Sequence, residues 1–256
     1  MNLINAYWIL GAEFLACLLC GMIGFGDALL FIPLVTSILD LQTAVIVSTI
    51  WGGIINLFNF IHYRHFLDHS FIKTAILSGI PGTIIGTLLI IYAPVMLLEV
   101  TLGFFITGFA VYKLIKIYQS IKNKSLNIEK QSLAKPILVI GGFSYGFIGG
   151  LIGTSGPIYV TLLESTGHYR ENFIGNFAVI SLAMYVFKIP MYIVGGIFPL
   201  SIWPILLIGI PIIFGGTKLG HLITPKIPET QFRIIVLLLL AIIGCRMIVS
   251  SIIHLV

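Results

Sequence analysis

Charge is what this sequence has least of. Fourteen Lys and Arg and nine Asp and Glu make up 9% of its 256 residues, where a soluble domain carries about 25%. With 58% hydrophobic residues and a mean hydropathy of +1.11, the chain reads as an integral membrane protein. Its length suits one transmembrane unit and leaves no room for a soluble domain. The net charge of +5 lies mostly in loops, so it reports membrane orientation and gives no reason to expect nucleic acid. Cysteine is also sparse. Cys17 and Cys20 form a C-x-x-C without a second pair or a nearby His, which suits buried small residues better than zinc. Neither H-E-x-x-H nor G-x-S-x-G occurs, and Thr154-Ser155-Gly156 without a nearby His is weak support for a nucleophile. An enzyme is therefore not expected, and no cofactor or metal is called for. The first 22 residues lack a positive n-region and a clean cleavage site, so they read as a first membrane helix and not as a signal peptide.

What is present is a duplication. Gly21-Met-Ile-Gly-Phe-Gly-Asp-Ala-Leu-Leu-Phe-Ile-Pro33 returns 129 residues later as Gly150-Leu-Ile-Gly-Thr-Ser-Gly-Pro157. Gly79-Ile-Pro81 with Gly86-Thr87 returns as Gly209-Ile-Pro211 with Gly216-Thr217, 130 residues on. Two motifs in one order at nearly one offset indicate two halves. We divide the chain into a first transmembrane repeat (1–119), a Lys-rich linker (120–134) and a second repeat (135–256).

The expected fold is all-α. Apolar segments cover 5–22, 28–39, 41–61, 74–92 and 95–118, then 136–152, 157–163, 172–194, 200–222 and 231–253. The first two segments of each half are a helical hairpin broken by glycine, with a second arm too short to span about 30 Å of hydrocarbon. Five segments per half make the halves inverted repeats. That layout puts Arg64, Lys73, the six lysines of 113–135, Arg170 and Lys226 on one side, and no Lys or Arg on the other. By the positive-inside rule, the linker is cytoplasmic and both termini lie outside.

Glycine breaks at matching points of two halves point to a transporter's binding site. Close packing through small residues is the competing explanation. At the site, helix N-termini at Gly24, Phe25 and Gly26 and at Gly153, Thr154, Ser155 and Gly156 would offer free N–H groups and positive dipole ends to an anion. Thr154 and Ser155 add hydroxyls, which could equally satisfy carbonyls freed by the break. Ser48 and Asn176 occupy matching positions and suit a cavity lining. Asp27 and Glu13 are the candidate ion-coupling groups, with a structural pair involving Lys188 or Arg246 as the alternative for Glu13. Lys188 lies within a span, where a lysine either lines a pathway or snorkels to the interface. His62, His65 and His69 lie in a loop segment beside Arg64 and Lys73 and suit a solvated patch better than a metal site.

The paired glycine motifs, the paired G-I-P-x4-G-T segments and the length resemble the sulfite exporter TauE/SafE family over essentially the whole chain. The resemblance implies a carrier in the cytoplasmic membrane for sulfite, a sulfonate or another small organic anion, coupled to an ion gradient such as that of protons. A passive anion channel is the alternative, and homo-oligomerisation stays open. Asp27 departs from the family pattern, which commonly has glycine there. An acid beside an anion site repels the substrate when ionised, so it argues against simple sulfite binding or for proton coupling.

Overall fold

The computed structural model describes residues 3–23, 26–123, 135–164, 170–223 and 229–253. The described residues form ten α-helices: α1 (Leu3–Ile23), α2 (Asp27–Val35), α3 (Leu41–Tyr63), α4 (His69–Tyr92), α5 (Val95–Asn123), α6 (Lys135–Ile152), α7 (Gly156–Glu164), α8 (Arg170–Val194), α9 (Trp203–Ile223) and α10 (Glu229–Ile253). Seven helices are long and apolar enough to cross a membrane, and Leu240–Val249 is a shorter apolar stretch within α10. By contrast α2 and α7 have nine residues each, about 14 Å at 1.5 Å per residue.

Several boundaries differ from the sequence expectation. The polar loop 62–73 is mostly helical, because α3 continues to Tyr63 and α4 already begins at His69. Asp68 explains the early start: its carboxylate accepts from the N–H groups of Ser70 and Phe71, both at 3.0 Å, satisfying donors that a helix start leaves free. Asp40 does the same for α3, accepting from the Thr43 N–H at 2.9 Å. His62 therefore ends α3, His65 lies in a 3-10 turn (Arg64–Phe66) and His69 begins α4, so the three histidines do not share one helical face. Of the linker 120–134, residues 124–134 lie outside the described residues, and α5 covers 120–123.

Polarity is arranged inside out. Tyr7, Leu77, Phe104, Ile140, Val186, Leu207 and Ile242 are exposed, while Glu13, Asn56, Asn176 and Lys188 are buried. Such a surface suits lipid, which solvates apolar side chains but not polar ones. This is a multi-pass membrane protein.

The four most extensive helix pairings are preserved when α1–α5 are exchanged with α6–α10. α4 lies on α6 and α1 on α9, α3 on α8 and α5 on α10. Glycine makes the closest of these approaches. A Cβ on Gly82 or Gly86 would strike the carbonyls of Phe143 or Phe147, and one on Gly150 would lie 2.7 Å from the Thr83 carbonyl oxygen. In the other pair, a Cβ on Gly21 would lie 2.5 Å from the Thr217 carbonyl oxygen, and one on Gly216 would lie 3.0 Å from that of Phe14. The second glycine of each G-I-P-x4-G-T segment, Gly86 or Gly216, thus sits in a backbone-to-backbone seam, the small-residue contact that holds helices together where lipid removes any hydrophobic drive, while Gly209 faces the Trp51 ring.

Candidate functional site

Gly21 and Gly150, which open the duplicated motif, belong to those seams. The breaks themselves come a few residues later. Gly26 has φ 101° and Gly153 has φ 79°, the left-handed region that side chains other than glycine enter at a cost of about 1–2 kcal/mol. Each glycine lies shortly before a short helix, α2 or α7, that follows a longer one in the chain. The Gly26 carbonyl starts α2 by accepting from Leu30, and the Ser155 carbonyl starts α7 by accepting from Ile158 and Tyr159. Gly153 also sits in a tight corner, since a Cβ there would lie 2.7 Å from Ile32 Cδ1 and 2.9 Å from Val45 Cγ1. Gly156, by contrast, has no positive φ among the described residues.

Both turns face one cavity. The first half contributes Gly26, Asp27 and Ala28 from the start of α2 and Thr83 from α4. The second contributes Tyr145, Gly146 and Gly149 from α6, residues 153–156 before and at the start of α7, and Phe177, Met184, Tyr185 and Lys188 from α8. Of the residues expected at the site, Gly26, Asp27, Gly153, Thr154, Ser155 and Gly156 are brought together here. Ser48, Asn176 and Glu13 are not in this lining, and Gly24 and Phe25 lie outside the described residues. Asn176 is buried toward the start of α4, where its Oδ1 accepts the Asp68 N–H at 2.9 Å. Its Nδ2 is buried without a hydrogen-bond partner among the described residues. Glu13 is 2% exposed and accepts the Cys17 thiol at 3.1 Å.

The lining is polar for a membrane interior. The Tyr145 and Ser181 hydroxyls are hydrogen-bonded at 2.7 Å. The Asp27 carboxylate stands in the first turn of α2. Across from α2, the Gly52 side of α3 is bare. A Cβ there would lie 3.2 Å from Asp27 Oδ2 and 3.1 Å from the Tyr185 hydroxyl, so Gly52 leaves space for both groups. Thr83 donates to Met184 Sδ at 2.9 Å. Lys188 is 2% exposed and donates to the Gly149 carbonyl oxygen at 2.9 Å. It therefore faces the cavity and does not snorkel outward.

Sequence reasoning did not single out Tyr145, Thr83, Met184 or Tyr185. Tyr185 could have been reached from Lys188, three residues on and hence on the same helical face. Thr83 lies inside the G-I-P-x4-G-T segment, but nothing marks it apart from the packing glycines around it.

Neither curated proteins nor solved structures return a match to this chain. A family model described as Sulfite exporter TauE/SafE matches residues 9–247, which spans both glycine turns, both seams and every residue lining the cavity. The chain belongs to the sulfite exporter TauE/SafE family, and membership implies a membrane transporter of sulfite-type anions.

Proposed function

We propose that the protein is an ion-coupled secondary carrier that moves a small sulfur-containing or organic anion, such as sulfite or a sulfonate, across the cytoplasmic membrane. The observation that carries this reading is the single cavity into which the starts of α2 and α7 both open. The first turn of a helix holds N–H groups without intrahelical partners and roughly half a positive charge. Two such ends, with the hydroxyls of Thr154, Ser155 and Tyr145 beside them, suit the oxygens of a small oxyanion. Gly24 and Phe25, outside the described residues, are the other substrate-binding candidates of the first motif. Ser48 and Asn176 would serve the route to the cavity, and Asp27 would couple transport to a proton, with Glu13 as a second coupling group on α1. No chemistry on the substrate is needed, so the protein acts as a carrier and not as an enzyme.

The test is reconstitution. Sulfite or a sulfonate is expected to move in proteoliposomes at a rate that responds to an imposed ion gradient. In detergent, one of sulfite, thiosulfate, sulfoacetate or taurine should raise the thermal stability where chloride does not. A ligand at 100 times its Kd stabilises by about 2.7 kcal/mol. Absence of both effects rejects the carrier, and single-channel currents would replace it with a pore.

On this reading the halves are inverted repeats, each opening with a glycine-broken hairpin. The exchange-symmetric packing supports a two-fold relation between them, and the one-sided distribution of Lys and Arg supports inversion. Single cysteines at positions 3 and 197 are expected to react with an impermeant maleimide in whole cells, and one at position 124 to react only after lysis. Labelling at 197 with protection at 3 would reject the inverted layout.

A further inference from the structure

Resting on the reading that this cavity holds a small anion, we propose that Lys188 is the group that binds the anion's charge, and that its cationic head selects oxyanions over neutral molecules of the same shape. The ammonium lies deep in α8, 2% exposed, in a protein whose lipid-facing surface offers it nothing. Among the described residues its hydrogen bond is to the Gly149 carbonyl oxygen at 2.9 Å. The Tyr185 and Tyr192 rings lie 5.3 Å and 5.9 Å from Nζ. These contacts orient a cation without neutralising it. No carboxylate forms an ion pair with it among the described residues, and Glu13 is bonded to Cys17 instead. A buried charge without a counter-ion is strongly disfavoured, so its retention inside a cavity points to a partner that arrives from solution.

The surroundings say what that partner looks like. Gly149, whose carbonyl holds Lys188, is also where a Cβ would lie 2.9 Å from Ser155 Oγ. Lys188, Ser155 and Tyr145 line the same cavity, and the Tyr145 hydroxyl is hydrogen-bonded to that of Ser181. A compact head carrying three oxygens on one atom can meet all of these at once. An ammonium is a point charge with rotatable donors, so it adapts to a pyramidal or tetrahedral oxyanion better than to a planar carboxylate.

The duplication separates this role from a packing role. At the offset of 129 that aligns Asp27 with Gly156, Lys188 stands against Asn59. The seam glycines recur in both halves. The lysine and the acid of the cavity occur once each, on opposite halves, and both line it without an ion pair among the described residues. A competing explanation is that Lys188 simply caps the C-terminal carbonyls of α6, where a cation also meets the negative end of the helix. That role needs a donor at Gly149 but no anion.

The experiment uses the full chain in detergent, unfolded thermally while sodium sulfite, sodium methanesulfonate or methanesulfonamide is titrated at constant ionic strength with NaCl. Wild type is expected to be stabilised saturably by the two anions and not by the neutral amide. Lys188→Gln, which keeps a donor for the Gly149 carbonyl, should bind both anions about 10- to 100-fold more weakly, the range set by one charge-assisted bond. Lys188→Met should behave likewise, with a ligand-free melting temperature equal to or above wild type because an uncompensated charge has gone. If Lys188→Gln binds as tightly as wild type, the assignment is overturned and the carrier reading stands. Failure of both neutral variants to fold also overturns it, since Lys188 is then a structural cap. If wild type itself answers no anion and shows no flux, the carrier reading falls and takes this assignment with it.

Discussion

Gly153→Leu is expected to abolish anion flux in proteoliposomes, while Gly196→Leu leaves it near wild type. The pair is informative because both glycines have positive φ, 79° and 70°, so both substitutions carry a similar backbone strain of about 1–2 kcal/mol. They differ in what surrounds them. A Cβ on Gly196 meets nothing within 4 Å, whereas one on Gly153 meets Ile32 of α2 and Val45 of α3. A leucine at 153 must therefore push α2 away from the start of α7 and pull apart the two walls of the cavity. Displacing positioned groups by about 1 Å can cost on the order of 100-fold in rate, and here the displacement falls on both turns. Overpacking of this kind costs about 1–3 kcal/mol, which leaves room for the variant to insert and be purified. Gly153→Ala is the milder member of the series and should lose part of the flux. Wild-type flux in Gly153→Leu would reduce the turn to a packing detail.

That comparison also shows what the sequence could and could not reveal. Repetition made the helices and their order readable, since a motif found twice at one offset is hard to obtain by chance. Helix ends were less readable. Asp68 stands in a polar stretch that reads as loop, and only the capping bonds to Ser70 and Phe71 show that α4 has already begun. The glycines were harder still. Gly21, Gly24, Gly26, Gly150 and Gly153 look alike as letters, yet Gly21 and Gly150 serve seams against α9 and α4, while Gly26 and Gly153 take left-handed turns. The distinction depends on φ and on a neighbour about 70 residues away or more, neither of which local composition encodes. Asn176 marks another boundary. An amide inside an apolar span must find a partner, but whether that partner is a substrate or the Asp68 N–H is a matter of tertiary packing. Lys188 was conspicuous as a charge among apolar residues, and its direction became clear only with the Gly149 carbonyl and the two tyrosine rings around it.

Asp27→Asn is expected to bind the anion at least as tightly as wild type but to lose gradient-driven accumulation. Asp27 begins α2 inside the cavity that also holds Lys188 and Ser155. An ionised carboxylate there opposes a second negative charge, and a protonated one does not. Proton and anion therefore each favour the binding of the other, and reciprocity makes the two factors equal. In wild type, lowering the pH through the titration of Asp27 should tighten sulfonate binding, by about 5- to 150-fold if the coupling has the usual size. A monoanionic sulfonate is the right probe, because its own charge does not change between pH 5 and about 8, the window in which protein groups are commonly tuned. The Asn variant is fixed in the neutral state. Its affinity should depend less on pH across that window than that of wild type and stay close to the acid limit of wild type. Anion exchange at equilibrium should continue, because the cavity and its turns are intact, but an imposed pH gradient should no longer drive net uptake or release. Retention of the wild-type pH response by Asp27→Asn in both binding and flux would remove Asp27 from the coupling step. Glu13, buried on α1 beside Cys17, is then the carboxylate to replace next.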